Sequence, residues 1–341
     1  MLRKSALVIA SLALAAVRSA LPAWANDSSA ELATGGLVFV TNDDIEMRAE
    51  DLFISTQQVR VRYRFFNKSN KNVTVLVAFP LPEVRISEPD QNIALPTENP
   101  VNIFAFTTRV NGSPVSTKVE QRATAVGIDR TQYLRDLGIP LAPQLATTGA
   151  ALDRLPADRW DEMLRLGIAE VEEYDAGQGM KKHLAPRWGL NTTFYWEQTF
   201  PAGKETIIEH QYKPSVGGSA QTDLGAPSAL KESWYGDYLR RYCIDKDFVA
   251  TIDRLRKANK SEFGPPYSEQ RIDYILKTGA NWSGPIKDFH LVVDKGEPDN
   301  LVTFCGDGVK KLSPTQFEMR KSDFTPDGDL AVLILTKISK Q

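Results

Sequence analysis

The sequence predicts a mainly β protein: a β-sandwich with a helical insertion, followed by a second, smaller β-rich domain with a helical lead-in. Three observations lead to this fold class. Apolar and polar residues alternate over several short segments, turns containing Gly, Pro or Asn separate those segments, and one stretch of the first half repeats its apolar residues at helical spacing. Alternating strands with short connections are typical of antiparallel sheets and disfavour a parallel α/β sheet.

The first 25 residues have the features of a signal peptide. Basic residues precede an apolar run at residues 6–17, and Ala-Trp-Ala at residues 23–25 predicts cleavage after Ala25. The alternative is a membrane anchor, but Arg18 interrupts a run that is already shorter than the roughly 20 residues of a spanning helix. No later segment is apolar enough to span a bilayer. We therefore expect a soluble periplasmic or secreted protein.

Charge and motif content exclude several classes of function. Removal of the leader takes away three of 41 basic residues and none of 43 acidic ones, which leaves 38 against 43 and a net charge of about −5. A mildly acidic protein does not favour nucleic acid or anionic lipid as a partner. The common hydrolase, zinc and nucleotide motifs are missing from the sequence, so we expect no metal and no cofactor.

Two strands organise the first half of the chain. Residues 59–66 read VRVRYRFF, which directs Arg60, Arg62 and Arg64 to solvent and the alternate residues to a core. Residues 73–83 form an apolar run that ends on Pro-Leu-Pro, and we expect the two segments to pair in a hairpin. The arginine row predicts either a solvated outer face or a surface that binds an anion or the acidic face of a partner.

Another strand and a helical insertion follow. The strand at residues 103–110 ends on Asn111-Gly112, which favours a tight antiparallel turn. The insertion covers about residues 129–174, and Pro156 begins its best helix. Trp160 opens an apolar stripe at three- and four-residue steps, which continues with Met163, Leu164, Ile168 and Val171. We interpret the stripe as a packing face, with a partner groove as the alternative.

The chain then returns to β structure at residues 190–200 and 206–213. We expect Trp196 to pair with His210 across a hairpin, because this register puts the aromatic and aliphatic residues on one face. His210 then lies on the apolar side. The sequence leaves open whether that face is core, which is the more common case, or an open site where aromatic rings stack on a sugar or lipid.

The last third of the chain is predicted to be β-rich after a helical pair at residues 232–242 and 245–257. Its expected strands lie at about residues 271–277, 286–294, 301–305, 316–320 and 330–337. Cys243 and Cys305 are the only cysteines. In an oxidising compartment they are expected to form a disulfide, with two separate buried thiols as the alternative.

The length of 341 residues suffices for two domains of ordinary size. We predict a signal peptide at residues 1–25, a sandwich with the helical insertion at 26–218, and a β-rich carboxy-terminal domain at 228–341. The boundary is expected near residues 217–228, where glycines and a proline punctuate the chain.

Parts of the first half resemble a known extracellular domain. Residues 79–87 (FPLPEVRIS) and 103–125 (IFAFTTRVNGSPVSTKVEQRATA) are similar to the VIT domain of inter-α-trypsin-inhibitor heavy chains. The resemblance covers about residues 37–213 and implies a VIT-like sandwich. The metal-binding domain that usually follows, with its D-x-S-x-S loop, is missing from the sequence, so no metal-dependent adhesion is carried over.

A second resemblance covers nearly the whole mature chain. Residues 26–37 (NDSSAELATGGL), 196–218 (WEQTFPAGKETIIEHQYKPSVGG) and 304–326 (FCGDGVKKLSPTQFEMRKSDFTP) resemble the secreted proteobacterial family known as domain of unknown function 4424. This resemblance implies a location in the cell envelope and no established activity.

The expected function is binding rather than catalysis. Secreted sandwich domains without a convergent catalytic set commonly present recognition surfaces, so we expect a non-enzymatic module that binds an envelope protein or polymer. The candidate anchors are Arg60, Arg62 and Arg64, with Trp160 as a weaker one. The rival function is a periplasmic hydrolase that uses a carboxylate or His210.

Overall fold

The structure is a computed structural model that describes residues 26–33, 36–85, 92–175, 179–260 and 264–338. The predicted signal peptide and the cleavage after Ala25 concern residues 1–25, which lie outside the described residues.

The described ranges contain many short strands and a few helices. The strands of the first half are β1 (Ser28–Ala33), β2 (Gly36–Val40), β3 (Ile45–Ile54), β4 (Val59–Asn67), β5 (Val73–Pro80), β6 (Asn92–Ala94), β7 (Thr107–Val110), β8 (Ser113–Val115), β9 (Lys118–Ala125) and β10 (Ile128–Asp129). The later strands are β11 (Ala169–Asp175), β12 (Met180–Pro186), β13 (Gly189–Phe200), β14 (Glu205–Tyr212), β15 (Val216–Ser219), β16 (Tyr267–Tyr274), β17 (Ile286–Asp294), β18 (Leu301–Phe304), β19 (Lys310–Lys311), β20 (Gln316–Phe324) and β21 (Leu330–Lys337). The α-helices are α1 (Thr131–Asp136), α2 (Ala146–Asp153), α3 (Ala157–Arg165), α4 (Tyr235–Arg241) and α5 (Lys246–Ala258), and short 3₁₀ turns lie at Ala229–Lys231 and Lys277–Asn281.

Three sheets form the body of the protein. Six strands follow the order β10-β9-β13-β5-β1-β2, eight follow β19-β20-β17-β3-β4-β14-β7-β8, and five follow β18-β21-β16-β15-β6. A separate ribbon consists of β11 and β12. The predicted fold class, mainly β with a helical insertion, is confirmed. Among the described strands only β3 and β17 pair in parallel, with Leu52 opposite Leu291.

The tight turn expected at Asn111-Gly112 is confirmed, since β7 and β8 pair in antiparallel fashion across it. The other two expected hairpins are wrong, although the expected faces of their alternating strands are observed. β4 pairs with β3 and β14 in the eight-stranded sheet, whereas β5 pairs with β1 and β13 in the six-stranded sheet. The connections β4–β5 and β13–β14 are therefore arches between two facing sheets. Trp196 and His210 meet across the core by their side chains, with ring centroids 5.4 Å apart. Alternation fixes which side of a strand is apolar, and a hairpin and an arch satisfy that pattern equally.

The helical insertion is shorter than expected. Helix α3 ends at Arg165, and Gly167 follows with φ +65°, the left-handed conformation that commonly ends a helix. Ile168 is buried beyond the helix, and Val171 lies exposed on strand β11. The helical part of the predicted stripe therefore ends with Leu164. Ile168 and Val171 share the three- and four-residue spacing only by coincidence.

One apolar cluster joins the three sheets, and a second lies beneath the last two helices. Strand β21 belongs to both clusters, since Val332 and Ile334 face the first while Leu333 and Leu335 face the second. Its continuous apolar sequence follows from burial on both faces. The predicted disulfide is confirmed: Cys243 and Cys305, with Cα atoms 5.0 Å apart, join the end of α4 to the end of β18.

Strands from both sides of the predicted domain boundary share sheets. β3 pairs with β17, and β15 pairs with β16. The division into residues 26–218 and 228–341 stays a prediction.

Candidate binding site

The outer face of the eight-stranded sheet carries a groove with a cavity volume of about 450 Å³. The groove crosses five neighbouring strands, β17, β3, β4, β14 and β7, and a volume of this size is in the range of small-ligand sites. Its polar lining comes from Asp51, Arg60, Arg62, Thr107, Arg109, Glu209, Gln211 and His290. We call this feature the arginine groove.

Strand register places opposite charges side by side along one row of the groove. The row runs from His290 through Asp51, Arg62 and Glu209 to Arg109, one residue from each strand. Such cross-strand neighbours lie about 5 Å apart, which is close enough for their side chains to interact. The Arg62 Nε lies 3.5 Å from Glu209 Oε1, so these two side chains neutralise each other.

His290 is also engaged with carboxylates at its end of the row. Its Nδ1 lies 3.4 Å from Asp51 Oδ1, and its Nε2 lies 3.2 Å from Glu318 Oε2. Glu318 accepts a further bond from Arg320 Nε at 3.2 Å. The carboxylates at this end of the row are therefore engaged by protein side chains.

Arg60 and Arg109 are the exceptions in the groove. The Arg60 guanidinium lies over the Phe53 ring, 4.6 Å from its centroid, and Arg109 donates to the carbonyl oxygen of Gly112 at 2.9 Å. Among the residues that the structure describes, neither guanidinium has a carboxylate within 4.0 Å. Strand spacing puts their Cα atoms about 12 Å apart, with Gln211 and Glu209 of β14 between them. Two forked cations that flank a polar floor suit a carboxylate or phosphate group.

The predicted anchors divide between the groove and other places. Arg60 and Arg62 line the groove, whereas Arg64 lies outside it and its Nη1 is 3.9 Å from Glu205 Oε1, a carboxylate that Arg48 also contacts. Trp160 lies half-buried on α3 and packs against the core. Arg109 was missed, although its sequence position just before Asn111-Gly112 marks it as the end of a strand.

A second cavity, of about 530 Å³, contains two ion pairs among its lining residues. Arg85 Nη2 lies 2.7 Å from Glu83 Oε1, and Arg241 Nη2 lies 2.8 Å from Asp273 Oδ2. This compensation makes the second cavity a weaker site for a charged ligand than the arginine groove.

His210 lies in the core and not in an open site. Its side chain has no exposed surface, and the rings of Tyr63, Phe79, Phe106 and Trp196 lie around it at centroid distances from 4.7 to 5.9 Å. Its Nε2 lies 3.0 Å from Asp27 Oδ1 and its Nδ1 lies 3.0 Å from Thr108 Oγ1. The hydroxyl–imidazole–carboxylate order is that of a nucleophilic triad, but a buried hydroxyl does not meet a substrate.

A β-bulge brings a second carboxylate, Glu50, into the same core. The register of β3 against β4 shifts between Met47 and Ala49. Ile45 and Met47 face inward before the shift, and Glu50 and Leu52 face inward after it. Glu50 accepts bonds from Asn26 Nδ2 at 3.0 Å and from the Tyr274 hydroxyl at 3.3 Å.

Burial governs the protonation of these acids. Burial raises the pKa of Glu50 to about 8, against a lowering by the bonds from Asn26 and Tyr274. Burial also raises the pKa of Asp27, while the neighbouring His210 opposes the rise. We refer to Asn26, Asp27 and Glu50 as the core acid cluster.

Sequence reasoning missed the core acid cluster, although two signals for it exist. In IEMRAEDLFI the inward apolar residues change from odd to even positions, which marks a bulge and assigns Glu50 to the inner face. Asn26 and Asp27 directly follow the predicted cleavage site. No group of three or more His, Cys, Asp or Glu side chains that could hold a metal occurs in the described part of the chain.

The profile of a protein family described as a domain of unknown function, DUF4424, matches residues 25–333. The chain belongs to the DUF4424 family. The second resemblance drawn from the sequence is thus confirmed, and the VIT resemblance stays an expectation. A search of curated proteins finds no match to this chain.

Solved structures include a relative of low similarity. A crystal structure from Legionella pneumophila, provisionally described as that of a nutrient binding protein, matches with a TM-score of 0.45 and 17% identity. The match covers 91% of this DUF4424 chain and 70% of the Legionella chain. Over the described residues, no helix is both long and apolar enough to cross a membrane.

Proposed function

We propose that this DUF4424 protein is a non-enzymatic binding module of the cell envelope, periplasmic or secreted, whose arginine groove recognises an acidic group on a partner protein or envelope polymer. One observation carries the proposal. Arg60 and Arg109 flank a groove of about 450 Å³ and have no carboxylate within 4.0 Å among the described residues, whereas Arg62 is paired with Glu209.

The chemistry of the two arginines supports an acidic ligand. A guanidinium presents a planar fork of donors that matches carboxylate and phosphate oxygens. Anchors of this type, set in a concave surface, are common at the centres of recognition sites. The neighbouring Arg62–Glu209 pair holds the row in place without adding net charge.

The envelope location rests on the leader and the disulfide. The sequence predicts cleavage after Ala25, and the bond between Cys243 and Cys305 suits an oxidising compartment. The hydrolase rival gains no support from His210, because its imidazole and the neighbouring Asp27 carboxylate are both fully buried.

Anion binding to the groove is testable by NMR of the arginine side chains. Titration of the mature protein with inorganic phosphate, and separately with succinate, is expected to shift the Nε–Hε signals of Arg60 and Arg109. Arg64 is the matched control, since it lies on the same strand but contacts Glu205 outside the groove. Equal shifts at all three arginines, or none at Arg60 and Arg109, would contradict the proposal.

A further inference from the structure

We propose that the α-amino group created by cleavage after Ala25 binds inside the protein core. In this proposal the α-ammonium group of Asn26 supplies the positive charge for the buried carboxylates of Asp27 and Glu50. The proposal concerns the opposite face of the sheet from the arginine groove and is independent of the groove's function.

Asn26 is fixed inside the protein by contacts from distant parts of the chain. The residue is fully buried, its Nδ2 lies 3.0 Å from Glu50 Oε2, and its carbonyl oxygen accepts from Thr278 Oγ1 at 2.6 Å. The α-nitrogen is four bonds from Nδ2, and so about 5 Å away at most. It therefore lies within about 8 Å of the Glu50 carboxylate.

The residue after it is held as firmly. The Asp27 carbonyl oxygen accepts from Trp282 Nε1 at 2.5 Å, and its carboxylate contacts His210 at 3.0 Å. From Ser28 onward the chain continues as strand β1, which pairs with β5. The segment that begins at Asn26 thus has one defined path into the fold.

In the core acid cluster, hydrogen-bond acceptors outnumber the hydrogen-bond donors that reach them. Asn26 Oδ1 and Asp27 Oδ2 are buried and have no hydrogen-bond partner in the described structure. No lysine or arginine of the described residues forms an ion pair with Asp27 or Glu50, and His210 is the one basic side chain in contact with the cluster. Buried acceptors and charges without partners are costly, so a missing donor is indicated. An ammonium group provides three donors and a positive charge.

Cleavage of the leader changes the chemistry of this one nitrogen. In the uncleaved chain it is an amide with a single donor and no charge. Hydrolysis adds the hydroxyl of water to the Ala25 carbonyl carbon and a proton to the Asn26 nitrogen, which then takes up another proton from solvent below its usual pKa of about 8. Processing therefore creates a cation next to the core acid cluster.

The protonation of Glu50 links this cation to pH. Burial, helped by the neighbouring carboxylates of Asp27 and Asp51, raises the pKa of Glu50 to about 8 against the bonds from Asn26 and Tyr274. The other titratable groups near Glu50 are Asp27, Tyr63, Tyr274 and, on the outer face of β3, Asp51, and none of these is a cation. A nearby ammonium lowers the pKa of Glu50, so the carboxylate stays charged in the mature fold at neutral pH.

The test compares two forms of the protein, one that begins at Asn26 and one that retains residues 21–25. In the extended form the folded state holds a proton on Glu50 that the unfolded state releases above pH 4.5, so its stability falls as pH rises from 5 to 8. In the mature form this loss is smaller. We expect the folding equilibrium constants, measured by urea denaturation, to differ about tenfold or more at pH 8 and much less at pH 5.

Substitution of Glu50 distinguishes pairing between the α-ammonium group and Glu50 from an unspecific effect of the extra residues 21–25 on stability. With Glu50→Gln the difference between the two forms at pH 8 is expected to disappear. With Glu205→Gln, the control at an exposed carboxylate of the same sheet, it is expected to remain. If Glu50→Gln fails to fold, the α-amine of the native mature protein provides the readout: we expect an amine-reactive ester to label it at least tenfold more slowly than in urea.

Several outcomes would overturn the proposal. These are equal stability of the two forms at pH 8, a difference that persists in Glu50→Gln, and native labelling at the unfolded rate. A native protein that begins at a residue other than Asn26 would also overturn it. So would a loss of stability on chelation of metal ions, because a metal ion would then supply the missing charge.

Discussion

The His210 side chain fastens the amino-terminal segment to the eight-stranded sheet. It bonds Asp27 on one side and Thr108 on the other, inside a ring of aromatic side chains. The alternation of residues 206–213 predicts that His210 lies on the apolar side of its strand but leaves open whether that side is core or an open site. It does not predict Asp27 as the partner, because the two residues are 183 positions apart and no local pattern joins them.

Replacement of His210 is expected to be severely destabilising. His210→Ala leaves the Asp27 carboxylate buried without its main partner, a defect that typically costs about 3–5 kcal/mol. The free energy of unfolding, measured in urea at pH 7, checks this. His290→Ala is the control, because His290 lies on the outer face of the same sheet, and its loss is expected to stay below about 1 kcal/mol. Equal effects of the two substitutions would contradict the assigned role.

The arginines of β4 show how much the sequence pattern of a single strand predicts. The alternation of residues 59–66 correctly predicts that Arg60 and Arg62 face outward. Their value as anchors depends on which strands lie beside β4, since Glu209 on β14 neutralises Arg62 while Gln211 leaves Arg60 free of an acid. Neighbouring strands are chosen by long-range packing, which the sequence pattern of one strand does not encode.

The two arches show that local patterns do not predict strand partners either. Strands β4 and β5, like β13 and β14, follow one another closely in sequence but belong to different sheets. Each connection runs from one sheet to the other at the protein surface, and the inner faces of the two strands then pack against each other. The period-two pattern made the buried faces of β4, β13 and β14 predictable and the apolar run predicted β5, whereas short connections alone did not distinguish hairpins from arches.

The disulfide is expected to stabilise the helical pair against the five-stranded sheet. It closes a loop with a sequence separation of 62, for which the chain-entropy estimate is about 4 kcal/mol. The Cys243→Ser, Cys305→Ser double variant should lose a comparable amount in urea denaturation. Dithiothreitol should reduce the stability of the parent protein to the level of the variant. Unchanged stability in both cases would show that the bond adds nothing to the fold.

Across the molecule, residues on both sides of the predicted boundary belong to one apolar cluster. Tyr63 and Tyr274 exchange a hydrogen bond of 3.1 Å between their hydroxyls, and β3 pairs with β17 along six residues. The amino-terminal segment adds contacts to Thr278 and Trp282. Local sequence patterns were sufficient to predict the fold class. The contacts between the two parts of the chain depend on the parallel pairing of β3 with β17, which no local pattern predicts.

Such sharing predicts cooperative unfolding. We expect a single transition in calorimetry of the mature protein, with equal calorimetric and van't Hoff enthalpies. Limited proteolysis within residues 217–228 should leave the two fragments associated under native conditions. Two separate thermal transitions would instead show that residues 26–218 and 228–341 fold independently.

The most direct test of the binding role is a crosslink formed from the arginine groove in living cells. A photoreactive amino acid at position 211, between Arg60 and Arg109, is expected to capture a specific envelope protein or polymer that mass spectrometry identifies. The adduct should be lost in the Arg60→Ala, Arg109→Ala double variant and kept in Arg64→Ala. An adduct that survives the double substitution, or no adduct from position 211 in a correctly folded and exported protein, would contradict the account.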